Sequence, residues 1–225
     1  PIATLAEARE LPRGAIGEII VRGPVVTTAY DLLPEATARA KIYATTPDAA
    51  PALPEQSPAA SSFPASTLPP SAFSLPPSAP SGEVWHRMGD AGYLDADGRL
   101  WFCGRLAERI ETPHGTLFAD CVEPIFNQHA RVFRTALIGF GPRGKQVAAL
   151  AVECRPDQRP RNTAGQRALG RELRELGAAH PHTDLIRIFY FVDRFPVDVR
   201  HNAKIHRLQL ARALAGRPGL EFDKR

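Results

Sequence analysis

In the stretch of residues 85–111, WHRMGDAGYLDADGRLWFCGRLAERIE, two charged residues each follow a glycine among apolar neighbours: Asp90 after Gly89 and Arg105 after Gly104. A carboxylate can accept both hydroxyls of a ribose. A guanidinium can donate as a fork to the same sugar or to a phosphate oxygen. Each glycine allows backbone to come close to a ligand. The pair therefore offers chemistry suited to a nucleotide, and an ion pair across an ordinary hairpin is the competing reading of the same residues. A third group is Lys204, which sits with His201, Asn202 and His206 in RHNAKIHR. By residue type alone it is a solvated cation. The two histidines invite a metal or acid–base role, but no carboxylate stands at a useful spacing from them, which leaves them as polar residues shaping the lysine's approach.

These groups need rigid supports. Two strand-like runs joined by Asp97-Gly98 predict a tight hairpin carrying Asp90 and Arg105. Upstream, GEIIVRGPVVTTAY predicts a second hairpin, with residues 19–21 and Val25-Val26 on either side of Gly23-Pro24. Residues 34–43 read as a short helix with Pro34 in its first turn. Beyond Arg105, a turn at residues 112–115 leads into a helix whose Cys121, Val122, Ile125 and Phe126 share a face, with Asp120 as its N-cap. Residues 132–140 and 146–154 read as strands around the turn Gly141-Pro142-Arg143-Gly144. A helix over 163–179 places Leu169, Leu173 and Leu176 on one face, and 185–192 read as a buried strand. Phe195-Pro196 ends that strand, and a last helix starts near Ile205 with Leu208, Leu210 and Leu214 available for packing. Helix, two strands, helix and strand describe a compact α+β domain.

The 225 residues, 44% hydrophobic and 23% charged, are enough for a real core in one or two small domains. A formal net charge of +4 is spread among acids, without the aromatic-basic pattern of a nucleic-acid groove, so no nucleic-acid partner is expected. Cys103, Cys121 and Cys154 have no paired spacing and read as buried free thiols in a reducing, cytoplasmic setting, with no metal site among them. No apolar run is long enough to predict a transmembrane segment, and no signal peptide is evident. The chain starts at Pro1, which reads as a piece of a longer polypeptide. Residues 45–82 hold ten of the 22 prolines, with Ser and Ala, and only Asp48 and Glu55 carry charge. Such a stretch buries too little apolar surface to offset its ordering entropy and is expected to be a disordered insertion of polyproline II character. Its prolines lack the flanking basic residues of an SH3 ligand. GPRGK at 141–145 lacks the spacing and the Ser/Thr of a Walker phosphate loop.

MGDAGYLDADGRLWFCGR resembles a segment of adenylate-forming enzymes, the superfamily of acyl-CoA synthetases, peptide-synthetase adenylation domains and luciferases. There a Gly-Asp pair precedes a hairpin and an arginine stands at its exit. GEIIVRGPVVTTAY is similar to the family's strand motif that ends in a glycine turn and a tyrosine. The resemblance implies that Asp90 binds the ribose hydroxyls of ATP and that Arg105 lies just before the hinge to a small C-terminal domain. It also makes Lys204 the lysine of a proline-led loop that reaches the active site during adenylation. The fold it implies is α+β: residues 1–105 form the β-rich end of the AMP-binding core, and 106–225 form a small α+β lid carrying Lys204. Mg2+ is implied with ATP, its ligands lying outside this chain, as do the phosphate loop and the acyl tunnel.

RLWFCGR, HGTLFADCVEPIFNQH and FPVDVRHNAKIHR look similar to the β-lactone synthetases of bacterial olefin biosynthesis. Those enzymes adenylate a β-hydroxy fatty acid, whose own hydroxyl then expels AMP. Ala107, where the family's hinge usually carries Asp or Lys, and Glu111, where many thioester-forming members carry Lys, agree with a reaction that needs no CoA. The implied partners are a long-chain fatty or β-hydroxy fatty acid, the missing N-terminal adenylation region and other olefin-biosynthesis enzymes. A fatty-acyl-CoA ligase forming a thioester is the alternative of the same class. A non-catalytic module that binds partners through the proline-rich stretch is the alternative of another.

Overall fold

The computed structural model describes residues 2, 4–44, 83–198 and 204–223; the expected insertion at 45–82 and the residues His201 and Asn202 lie outside that set. Packing divides the chain into two compact units. One comprises Pro1–Glu10 and Ile20–Met88, the other Leu11–Ile19 and Gly89–Arg225.

A four-stranded sheet begins with β1 (Gly17–Val21). Its expected hairpin partner does not form. The chain turns at Pro24-Val25, closed by Val26 N donating to the Gly23 carbonyl at 3.0 Å, and Val25 is exposed. The helix α1 (Pro34–Ala40) starts at its proline as expected but stops three residues early, because Lys41–Tyr43 form a strand, β2. Tertiary pairing overrides helical spacing here: Ile42 is fully buried and lies opposite Trp85 on β3 (Val84–Leu94). The strand β3 pairs with β2 at its start and with β4 (Leu100–Arg105) at its end.

In the second unit, a 3-10 turn (Leu106–Glu108) leads to a two-stranded hairpin of β5 (Ile110–Thr112) and β6 (Gly115–Leu117). The turn at 112–115 is where the sequence placed it, but strands of three residues are too short to show alternation. Next comes α2 (Ala119–Asn127), whose N-cap position is Phe118 and carries no side-chain cap. Asp120 sits inside the first turn instead, where a carboxylate favours the positive end of the helix.

The strands β7 (Val132–Phe140) and β8 (Val147–Cys154) are antiparallel over eight residue pairs. The helix α3 (Thr163–Ala178), capped by Asn162 Oδ1 accepting from Gly165 N at 2.8 Å, crosses over to β9 (Ile188–Val192), which lies parallel to β8. After α4 (Arg207–Leu214), the two-residue β10 (Leu220–Glu221) pairs antiparallel with β9. The sheet order is β10-β9-β8-β7.

Both faces of this sheet are covered, which is why β7 and β8 read as nearly continuous apolar runs. Leu137, Leu150, Val152 and Phe189 pack with Val122 and Phe126 of α2 and with Leu169 and Leu173 of α3. Ala136, Ile138, Ala149 and Ala151 point the other way and pack with Phe195, Ile205, Leu210 and Leu214. Each fully buried Leu, Ile or Phe contributes roughly 1.5–3 kcal/mol of transfer free energy. Leu208, expected to pack, is exposed, since Leu210 and Leu214 at four-residue spacing define the inner face of α4. Leu176 is half-buried, and Gly177 takes the inner position on α3 against Phe126. The mixed α+β class expected from the sequence is the class observed. Among the described residues no helix is long and apolar enough to cross a membrane.

Candidate functional site

Asp90 and Arg105 are directly opposite one another in the β3–β4 register. Arg105 Nη1 stands 2.7 Å from Asp90 Oδ1, with the arginine side chain 60% exposed and the aspartate 14%. Close as it is, the approach does not have hydrogen-bond geometry, and Asp90 Oδ1 is a buried oxygen with no hydrogen-bond partner among the described residues. The ion pair of the simpler reading is therefore present.

The two glycines differ. Gly89 has φ 69° and nothing within 4 Å of where a Cβ would stand, so its side is open to an incoming group. Gly104 has φ 128° and is closed: an added Cβ would lie 2.9 Å from Asp120 Oδ2 and 3.6 Å from the amide nitrogens of Ala119 and Asp120. Its lack of a side chain admits the start of α2 rather than a ligand. Around it Ala91, Cys103 and Phe118 form a small buried cluster that joins the hairpin to α2.

The hairpin loop runs over five residues, Asp95 to Arg99, rather than the tight Asp97-Gly98 turn expected. Asp95 organises it. Its Oδ1 accepts from the amides of Asp97 at 3.0 Å and Arg99 at 2.9 Å, and its Oδ2 accepts from Arg99 Nε at 2.9 Å and Trp101 Nε1 at 2.8 Å. Arg13 Nη1 donates to the carbonyls of Asp95 and Ala96. A side chain that satisfies amides two and four residues on replaces a tight turn with a wider one.

Lys204 is exposed, and its ammonium has no partner among the described residues. Its backbone, by contrast, is fixed. Asp198 N donates to the Lys204 carbonyl at 3.0 Å, His206 N donates to the Pro196 carbonyl at 2.9 Å, and Val197 and Ile205 form an antiparallel bridge. Ile205 is buried with Phe195 and Leu210, so the extended backbone puts the lysine on the solvent side. His206 stands at the N-cap position of α4 without a side-chain cap bond.

Three charged residues that the sequence reading passed over lie between these elements. Arg207, the first residue of α4, donates from Nε to Glu123 Oε1 at 2.8 Å and from Nη2 to Glu123 Oε2 at 2.7 Å. Its Nη1 donates to Glu108 Oε2 at 2.9 Å. Glu123, on the buried side of α2, also accepts from Leu137 N at 2.8 Å. Burial pushes the Glu123 carboxyl up, opposed by the Arg207 fork; burial pulls Arg207 down but is outweighed by Glu123 and Glu108, which hold it above its usual value. One signal was available: Glu123 falls between Val122 and Phe126 on a helical face that is otherwise apolar. Ala107 lies in the 3-10 turn with Glu108, and Glu111 on β5 accepts from Arg109 Nε at 2.6 Å. Among the described residues no cluster of His, Cys, Asp or Glu could hold a metal ion.

No family model matches the chain. It is 41% identical over 211 residues, 94% of its length, to the olefin β-lactone synthetase of Stenotrophomonas maltophilia. To the olefin β-lactone synthetase of Xanthomonas campestris pv. campestris it is 42% identical over 203 residues, 90% of its length. The chain belongs to the adenylate-forming superfamily. It corresponds to a C-terminal part, spanning 32% and 30% of those two relatives. The fold agrees: an O-succinylbenzoate coenzyme A synthetase from Bacillus subtilis, solved in complex with AMP, superposes with a TM-score of 0.59 at 19% identity, over 99% of this chain and 34% of that one.

Proposed function

We propose that this chain is the C-terminal part of an ATP-dependent enzyme that adenylates a long-chain β-hydroxy fatty acid and releases AMP as the β-lactone closes. The observation that carries the nucleotide role is the pairing of the Asp90 carboxylate with the exposed guanidinium of Arg105 at 2.7 Å, beside the open side of Gly89. A ribose hydroxyl is the donor this carboxylate would take, and the exposed guanidinium of Arg105 beside it offers further donors to the same sugar or to a phosphate oxygen. The printed names of the two relatives, identical at about two residues in five, support the lactone product.

In this reading residues 1–105 complete the AMP-binding core, and 106–225 form the lid. Lys204 lies on the lid with an ammonium that no described residue engages. It stabilises the negative charge that grows on the α-phosphate oxygens as the substrate carboxylate attacks phosphorus and pyrophosphate departs. Lactone closure then forms a bond from the β-hydroxyl oxygen to the acyl carbon and breaks the bond from that carbon to AMP, with the hydroxyl proton lost. Ala107 and Glu111 suit a reaction without CoA, since Glu111 places a carboxylate held by Arg109 where a thioester-forming relative has a cation. Mg2+ accompanies ATP and takes its ligands from the region outside this chain. That region, a fatty-acid supply and other olefin-forming enzymes are the partners, and the cytoplasm is the setting.

The test is the complete protein with ATP, Mg2+ and a β-hydroxy fatty acid, with products read by mass spectrometry. AMP with a β-lactone is expected. A thioester formed only when CoA is added overturns the lactone in favour of a ligase, and the absence of any AMP overturns carboxylate activation altogether.

A further inference from the structure

The buried charges of the second unit link two chain positions that the proposed mechanism uses. Glu108 stands three residues after Arg105, and Arg207 stands three residues after Lys204. They meet at 2.9 Å, while the other two donors of Arg207 are taken by the paired oxygens of Glu123. Side-chain exposure is 17% for Arg207, 9% for Glu123 and 21% for Glu108. Glu123 is itself fixed by the Leu137 amide on β7. A guanidinium engaged on three nitrogens by two carboxylates has one allowed orientation, unlike an ammonium, which is a rotatable point charge.

We propose that Arg207 is the positioning residue for Lys204, and that Glu108 and Glu123 together fix where the lysine is delivered relative to the turn that follows Arg105. This rests on the adenylation role proposed above for Lys204. Hydrophobic burial alone would seat α4, since Leu210 and Leu214 already do so. It does not fix how the residues just before the helix are rotated. The Val197–Ile205 bridge and the Arg207 fork lie on either side of His206, so the backbone leaving Lys204 is held at two points within three residues. Glu108 is the element that carries information across the turn. Its carboxylate reaches from the 3-10 turn to the first residue of α4, accepting from Arg207 Nη1 at 2.9 Å.

The experiment uses the complete protein and follows exchange of labelled pyrophosphate into ATP, driven by a β-hydroxy fatty acid, in wild type, Glu108→Gln, Arg207→Lys and Lys204→Ala. Glu108→Gln should lower kcat for exchange by about tenfold and Arg207→Lys by up to about a hundredfold, the scale on which small misplacements of a catalytic group act. The KM for ATP should stay within about twofold in both variants because Asp90 is untouched. Melting temperature is measured alongside. A kcat for Glu108→Gln equal to that of wild type overturns the positioning role while leaving the adenylation reading intact. So does a loss that comes with a matching rise in KM and fall in melting temperature, which marks a merely structural contact. A wild-type protein without exchange overturns the adenylation reading and this inference with it.

Discussion

Arg105 Nη1 and Asp90 Oδ1 lie 2.7 Å apart across two paired strands, and the aspartate oxygen accepts no hydrogen bond from the described residues. The pair sets a carboxylate beside an exposed guanidinium, the two groups a ribose or a phosphate would engage. Replacing Asp90 by Asn in the complete protein should raise the KM for ATP by roughly 10- to 100-fold, the equivalent of losing hydrogen bonds to a charged acceptor. Steady-state kinetics at saturating fatty acid measures it. An unchanged KM would assign the pair to the hairpin's stability alone.

Lys204 predicts a different kinetic signature. Its side chain is exposed while its backbone is bridged, so Lys204→Ala should leave the melting temperature unchanged. Loss of a group that stabilises charge only in the transition state should lower adenylation kcat by about 10²–10³-fold. Pyrophosphate exchange and differential scanning calorimetry on the same variant separate the two effects.

Asp95 gives a pH-dependent prediction. Its hydrogen bond from Trp101, followed by that from the Arg99 amide, holds its carboxyl below the usual value of 3.8. A carboxyl depressed in the folded state contributes stability that is present above the unfolded value and lost as pH falls through the folded one. Asp95→Asn should therefore melt below wild type at neutral pH, and the gap should close as the pH is lowered beneath the usual carboxylate range. Thermal melts of both proteins across that range test the sign; a gap that widens in acid would contradict it.

The thiols should divide by burial. Burial, with Cys121 as neighbour, pushes Cys103 up to about 12, and burial raises Cys154 as well. Since only the thiolate attacks an alkylating reagent, both should resist iodoacetamide in the folded protein at mildly alkaline pH and react once it is denatured. Peptide mass spectrometry after labelling in each state reads the difference residue by residue.

The strongly patterned parts of the chain could be read without coordinates. β7, β8 and α3 come out within a residue or so, because long apolar runs and leucine spacing leave little choice of period. The failures have common causes. Lys41–Tyr43 became a strand because a partner more than forty residues away in sequence pairs with it, and β5, β6 and β10 are too short to carry a pattern. At the candidate site, Asp90, Arg105 and Lys204 could be picked out as residues with chemical potential. Their supports were hidden. The Asp95 loop replaced the expected turn through side-chain bonds, Gly104 proved to face a helix, and the Glu108–Arg207–Glu123 contacts join residues up to 99 positions apart. Long-range polar geometry of that kind has no local periodicity to reveal it.

The smallest element of the sheet has a consequence for the chain's fate in solution. β9 reads Ile188-Phe189-Tyr190-Phe191-Val192, a run without charge, proline or glycine, and on the side away from β8 its first two residues are paired with β10, Leu220 and Glu221. Exposed strands of that composition are templates for intermolecular pairing. Leu220 and Glu221 thus occupy the first two positions of an edge that β9 would otherwise offer along its whole length.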